Sequence, residues 1–138
     1  MDIRKITDDF SVAPQIRMAD VAAIAAAGFR AVICNRPDGE SPDQARSEDV
    51  AAAVTASGME WRMLPVGQVS RADGDVFGKL LAELPKPVLA FCRSGTRCTA
   101  LWSLSEIDKR PVQDILMRTR AAGYDMAALV QHAAGPRP

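Results

Sequence analysis

Residues 89–104 read LAFCRSGTRCTALWSL. Leu89, Ala90 and Phe91 complete an apolar run that begins at Val88, the pattern of a short parallel strand buried on both faces. Cys92-Arg93-Ser94-Gly95-Thr96-Arg97 interrupts that run, and from Arg97 the apolar residues return at helical spacing, predicting a helix over about 97–107. A loop between a strand and a helix can turn its backbone N–H groups inward as an anion cradle, reinforced by the positive helix end. Gly95 permits a backbone conformation closed to other residues. Arg97 supplies a planar two-donor fork for a tetrahedral oxyanion. The same field lowers the pKa of a thiol at Cys92 and makes it a nucleophile near neutral pH.

Outward from this segment, strand-like and helix-like stretches alternate. Residues 9–13 (DFSVA), 29–34 (FRAVIC) and 60–66 (EWRMLPV) predict strands. Helices are predicted over 19–27, stopped by Gly28, and over 47–57, stopped by Gly58. A third, over 76–84, is capped by Asp75 and stops before Pro85. Two more follow at 111–122 and 125–133. Such alternation implies right-handed crossovers and an α/β fold: a single three-layer domain over residues 1–138, with a mainly parallel central sheet and helices on both faces. Ligands then sit at the carboxyl ends of the strands, where residues 35–43, 67–73 and 92–97 converge.

Composition narrows the chemistry. The 138 residues carry 17 basic and 17 acidic side chains, a formal net charge of zero. Nucleic-acid and anionic-membrane binders rely on surplus Lys and Arg, so neither partner is expected. The 1 histidine, His132, leaves neither a His-rich metal site nor a Ser-His-Asp triad. The 3 cysteines, Cys34, Cys92 and Cys98, form no disulfide framework and no Cys-x-x-Cys pair. A charged N-terminus without a signal-like apolar run, and no window of roughly 18 apolar residues, point to a cytoplasmic protein with reduced thiols. No cofactor and no metal are expected.

CRSGTR resembles the active loop of rhodanese-like sulfurtransferases. Cysteine-dependent phosphatases place five residues between cysteine and arginine, and here there are four. FSVAPQI (10–16), DVAAIAAAGFRAVICNRPDGE (20–40), LPV (64–66) and VLAFCRSGTRCTALWSL (88–104) together resemble the beta-lactamase-hydrolase-like, phosphatase-like domain family, also labelled sulfur transferase. The likeness spans about residues 3–105. It implies a dual-specificity-phosphatase-like fold, with Cys92 as nucleophile and Arg97 as oxyanion binder. Phe91 and Cys98 stand where many phosphatases have His and Ser or Thr. No carboxylate stands at the place of the usual general acid, since Glu60 lies at the start of its strand.

Around this pair the anion-binding loop comprises Arg93, Ser94, Gly95, Thr96 and Cys98. Arg36, Asp38 and Glu40 lie on the loop after the second predicted strand. Asp38 or Glu40 is a candidate general acid and Arg36 a candidate second anion binder, although Pro-Asp-Gly is equally a turn sequence. Gln15 is expected to contact the loop or its anion, a role suggested by the resemblance alone. Cys34 is a candidate redox partner of Cys92 or simply a buried thiol. Cys98 either supports the loop or resolves a persulfide. Three functions remain open: a cysteine-dependent phosphatase forming a phosphocysteine, a rhodanese-like sulfurtransferase carrying a persulfide, and a non-catalytic anion-binding regulatory module. The expected partner is a small anionic substrate or phosphorylated molecule.

Overall fold

The structure is a computed structural model and describes residues 1–135. Five strands form one mixed sheet: β1 (Arg4–Thr7), β2 (Phe10–Ala13), β3 (Ala31–Cys34), β4 (Glu60–Met63) and β5 (Val88–Phe91), in the order β1-β2-β5-β3-β4. Only β1 runs antiparallel, against β2. The three central strands are buried at every residue, as strands covered on both faces must be.

Helices α1 (Val21–Ala26) and α2 (Ser47–Ala56) cover one face, packing Ile24, Val50 and Val54 against Val32, Leu89 and Phe91. Four others cover the opposite face: α3 (Arg71–Glu83), α4 (Thr96–Glu106), α5 (Val112–Ala121) and α6 (Ala127–Ala133). Their Phe77, Leu101, Ile115 and Val130 pack on Val12, Ile33 and Ala90. Each large apolar side chain buried this way contributes about 1.5–3 kcal/mol. This is the three-layer α/β arrangement expected from the sequence.

α4 is buried from Cys98 through Leu104 and therefore lacks the polar face of a surface helix. Its internal hydroxyls are satisfied within the helix. Thr99 Oγ1 donates to the Gly95 carbonyl at 2.8 Å and Ser103 Oγ to the Thr99 carbonyl at 2.8 Å. Leu101, Trp102 and Leu104 lie in the core.

Two expectations are corrected. β1 falls in the charged N-terminal segment that the sequence left outside the sheet; as an edge strand it buries only Ile6. The third long helix begins at Arg71, not after Asp75. Ser70 is its N-cap, accepting from the Asp73 N–H at 3.2 Å while Asp73 accepts from the Ser70 N–H at 2.9 Å. Gly74, which read as loop, lies inside that helix because α3 crosses α4 there. A Cβ at Gly74 would stand 2.6 Å from Leu104 Cβ.

Candidate active site

Strand register assembles the site. Phe91 of β5 is flanked by Ala13 of β2 and Cys34 of β3, so all three chains leave the sheet side by side. The Cys92 N–H donates to the Ala13 carbonyl at 3.3 Å and the Asn35 N–H to the Phe91 carbonyl at 2.9 Å. Cys92 therefore sits between the segment bearing Gln15 and the segment bearing Arg36 and Glu40.

The loop closes around the Cys92 sulfur. Gly95 has φ +88° and its N–H donates to Cys92 Sγ at 3.2 Å. A side chain there is excluded twice, by the positive φ and by Tyr124, whose Oη would stand 2.2 Å from the added Cβ. The Cys98 thiol and the backbone N–H groups of Cys98, Ser94 and Gly95 all favour the thiolate. Cys92 is 1% exposed, and its burial opposes ionisation, yet these donors prevail and its pKa falls to about 5. Cys98 is the counterpart: burial and the neighbouring Cys92 push its pKa well above the ordinary thiol value, so it stays a donor. The residue after the arginine thus does with a thiol what a hydroxyl would do by hydrogen bonding.

Arg97 projects from the first turn of α4. Its Nη1 donates to Glu40 Oε2 at 2.8 Å and to the Val66 carbonyl at 2.9 Å, and its Nη2 donates to Glu40 Oε1 at 2.7 Å. Glu40 Oε1 also accepts from Arg36 Nε at 3.0 Å. Arg36, only 4% exposed, reaches Gln15 Oε1 through Nη1 at 3.0 Å. Gln15, Arg36, Glu40 and Arg97 are therefore one network. Gln15 meets the loop directly as well, its N–H donating to the Arg93 carbonyl at 3.3 Å.

This network reassigns the candidate acids. Arg97 first, and Arg36 with it, hold the Glu40 carboxyl at a pKa of about 2, so Glu40 carries no proton for a leaving group at neutral pH. Asp38 accepts from the Ser47 N–H at 2.9 Å and from Ser47 Oγ at 2.5 Å, which ties the loop to the start of α2. Its pKa is lowered by those bonds. These bonds hold Asp38 in the segment that joins β3 to α2.

The cysteines separate by face. Cys34 packs with Val32 and Phe91 on the α1/α2 side, whereas Cys92 and Cys98 pack with Ala90 and Leu101 on the other. The Cys34 thiol donates to the Arg36 carbonyl at 3.3 Å, and burial raises its pKa to about 11. Of the two thiols considered as partners for Cys92, Cys98 is the one in contact.

Tyr124, between α5 and α6, belongs to the site although its sequence position carried no signal for it. Its Oη donates to the Ser94 carbonyl at 3.0 Å and its ring lies against Gly95. Arg4 of β1 lies 5.3 Å from that ring and donates to the Ala122 carbonyl at 3.0 Å. Arg93, Ser94 and Thr96 are exposed at the loop rim, with Ser94 Oγ bonded to Thr96 Oγ1 at 2.9 Å.

A mixed sheet of this order, with a cysteine–arginine loop at the carboxyl end of its central strand, is the architecture of phosphatase-like α/β domains. The chain belongs to the family described as beta-lactamase hydrolase-like protein, phosphatase-like domain, whose model matches residues 2–109. It is 34% identical over 128 residues to the beta-lactamase hydrolase-like protein of Agrobacterium fabrum, covering 90% of this chain and 30% of that protein. The chain thus spans less than a third of this curated relative. A candidate phosphatase from Neisseria meningitidis Z2491 superposes with a TM-score of 0.85 at 31% identity, covering 96% of each chain. TpbA of Pseudomonas aeruginosa, solved in complex with pTyr, shares the fold at 16% identity with a TM-score of 0.62, over 98% of this chain and 91% of its own.

Proposed function

We propose that the protein is a cysteine-dependent phosphatase acting on phosphate monoesters with good leaving groups. The observation that carries this reading is the Cys92 sulfur, seated among a thiol and three backbone donors with Arg97 beside it. The Cys92 thiolate attacks phosphorus, and the bond from phosphorus to the ester oxygen breaks with its electron pair on the leaving group. Loop amides and the Arg97 fork stabilise the equatorial oxygens. Water then attacks the phosphocysteine, the sulfur–phosphorus bond breaks, and the thiolate returns with inorganic phosphate.

Two features shape this reaction. Glu40 holds both terminal nitrogens of Arg97, so a bound phosphoryl group takes over the fork and leaves Glu40 to Arg36. With Glu40 ionised and Asp38 engaged by Ser47, neither of these carboxylates is placed to protonate the departing oxygen. Aryl phosphates, whose phenolates leave readily, are therefore preferred over alkyl phosphates. The pTyr bound by TpbA is an aryl phosphate and supports this choice. Among the described residues no helix is long and apolar enough to cross a membrane. A thiolate nucleophile with two more free thiols suits a reducing compartment, and we read the protein as cytoplasmic.

A second reading is favoured by one observation, the spacing of four residues between Cys92 and Arg97. In it, the Cys92 thiolate attacks the outer sulfur of a donor such as thiosulfate, whose sulfur–sulfur bond breaks to release sulfite. An acceptor thiolate or cyanide then takes the outer sulfur of the persulfide, and the Cys92 thiolate returns. Parallel assays with para-nitrophenyl phosphate, and with thiosulfate plus cyanide, distinguish the two. Phosphate release without thiocyanate is the expected result. Thiocyanate formation without phosphate release would overturn the phosphatase reading, and neither product would leave the regulatory module.

A further inference from the structure

Beside the Cys92 loop lies a cavity of about 820 Å³, within the range of small-molecule sites. Its walls come from three places: the turn after β2, the Arg36–Asp49 segment, and Arg93 of the loop itself. Four guanidinium groups line it, from Arg17, Arg36, Arg46 and Arg93, against two carboxylates, Asp43 and Asp49. Asp43 is engaged by Ser41 Oγ at 3.1 Å. In a chain of zero net charge, this is a local concentration of positive charge.

The four arginines are not equivalent. Arg36 is the buried floor, fixed by Gln15, Glu40 and Ser41. Arg46 is exposed and pairs with Glu48 at the start of α2. Arg17 and Arg93 are exposed, and among the described residues neither forms an ion pair. Gln15 joins this cavity to the catalytic network, since it touches both Arg36 and the Arg93 carbonyl. Arg93 is common to the loop and the cavity wall, so the cavity adjoins the loop.

We propose that this cavity is a second-anion subsite. The substrate is then a small polyanion: one phosphoryl group reacts at Cys92, and a further phosphate or carboxylate group is held among Arg17, Arg36, Arg46 and Arg93. This rests on the phosphatase reading for the reacting group alone; the charge arrangement stands without it.

The test is calorimetric binding to the Cys92→Ser protein, which separates affinity from turnover. Fructose 1,6-bisphosphate and fructose 6-phosphate differ by one phosphate group. The bisphosphate is expected to bind at least about tenfold more tightly, the scale of one well-placed charge-assisted contact. Arg17→Ala with Arg46→Ala is expected to remove that advantage while leaving monophosphate affinity, and para-nitrophenyl phosphate turnover in the Cys92 background, unchanged. Arg120→Ala, on the exposed side of α5, is the control for general charge and is expected to change nothing. Equal affinities for the two ligands would overturn the proposal. So would a bisphosphate advantage that survives the double substitution or disappears with Arg120→Ala. Failure of para-nitrophenyl phosphate turnover, with the bisphosphate preference intact, would instead strike the phosphatase reading.

Discussion

Cys92→Ser is expected to lower kcat for para-nitrophenyl phosphate by at least about four orders of magnitude, the scale seen when a nucleophile is removed. The substitution changes one atom but not the cradle. The donors that bring the Cys92 thiol to a pKa of about 5 cannot ionise a hydroxyl, whose intrinsic pKa is far higher. Phosphate affinity should persist, because the loop amides and Arg97 remain. Steady-state turnover and phosphate binding on the same preparation check both statements. Retention of a tenth of the wild-type activity would show that another group performs the attack.

Arg97→Lys is expected to lower kcat by about two to three orders of magnitude, comparable to loss of an oxyanion donor. The charge survives, so the loss isolates geometry. Arginine spans two oxygens with a planar fork, and here the same side chain is also anchored by the Val66 carbonyl at 2.9 Å. Lysine offers a point charge and cannot hold both oxygens in one plane. Glu40 should meanwhile lose the larger of the two influences that keep its pKa at about 2 and shift upward toward ordinary carboxylates. Turnover of the variant checks the effect, and activity within threefold of wild type would contradict the role given to the fork.

Much of this site was readable because it is local. Cys92, Gly95 and Arg97 lie within six residues between an apolar strand and a helix, and each has a physical reason for its place. The three-layer fold followed from alternating periodicity for similar reasons. What escaped depends on contacts distant in sequence. β1 buries one side chain and gains its identity from pairing with β2. Gly74 looked like a loop residue because nothing nearby announces that α4 passes beside it. Tyr124 reaches Ser94 across 30 residues of separation. Glu40 is the instructive case: its position on the active face was legible, but its two arginine partners, which deprive it of a proton, were not. The bond from Ser47 to Asp38 was equally illegible, because the two residues meet across nine positions of loop.

We propose that the loop, with no histidine base, holds Cys92 as a thiolate near neutral pH. Titration of the cysteine 13Cβ resonances in selectively labelled protein tests it directly, because the three thiols are driven apart. Cys92 is expected to titrate at about 5, while Cys34, raised to about 11, and Cys98, raised well above the ordinary thiol value by burial, stay protonated through neutral pH. The depressed Cys92 value also contributes folding stability, fully present above the unfolded thiol pKa near 9.0 and lost as pH falls through about 5. Cys98→Ala should move the Cys92 midpoint upward by removing its leading donor, and Cys98→Ser should restore part of the shift. A single low midpoint that responds to Cys98 is the predicted result. Three cysteines all titrating at about 8.5 or above, indifferent to Cys98, would contradict the account.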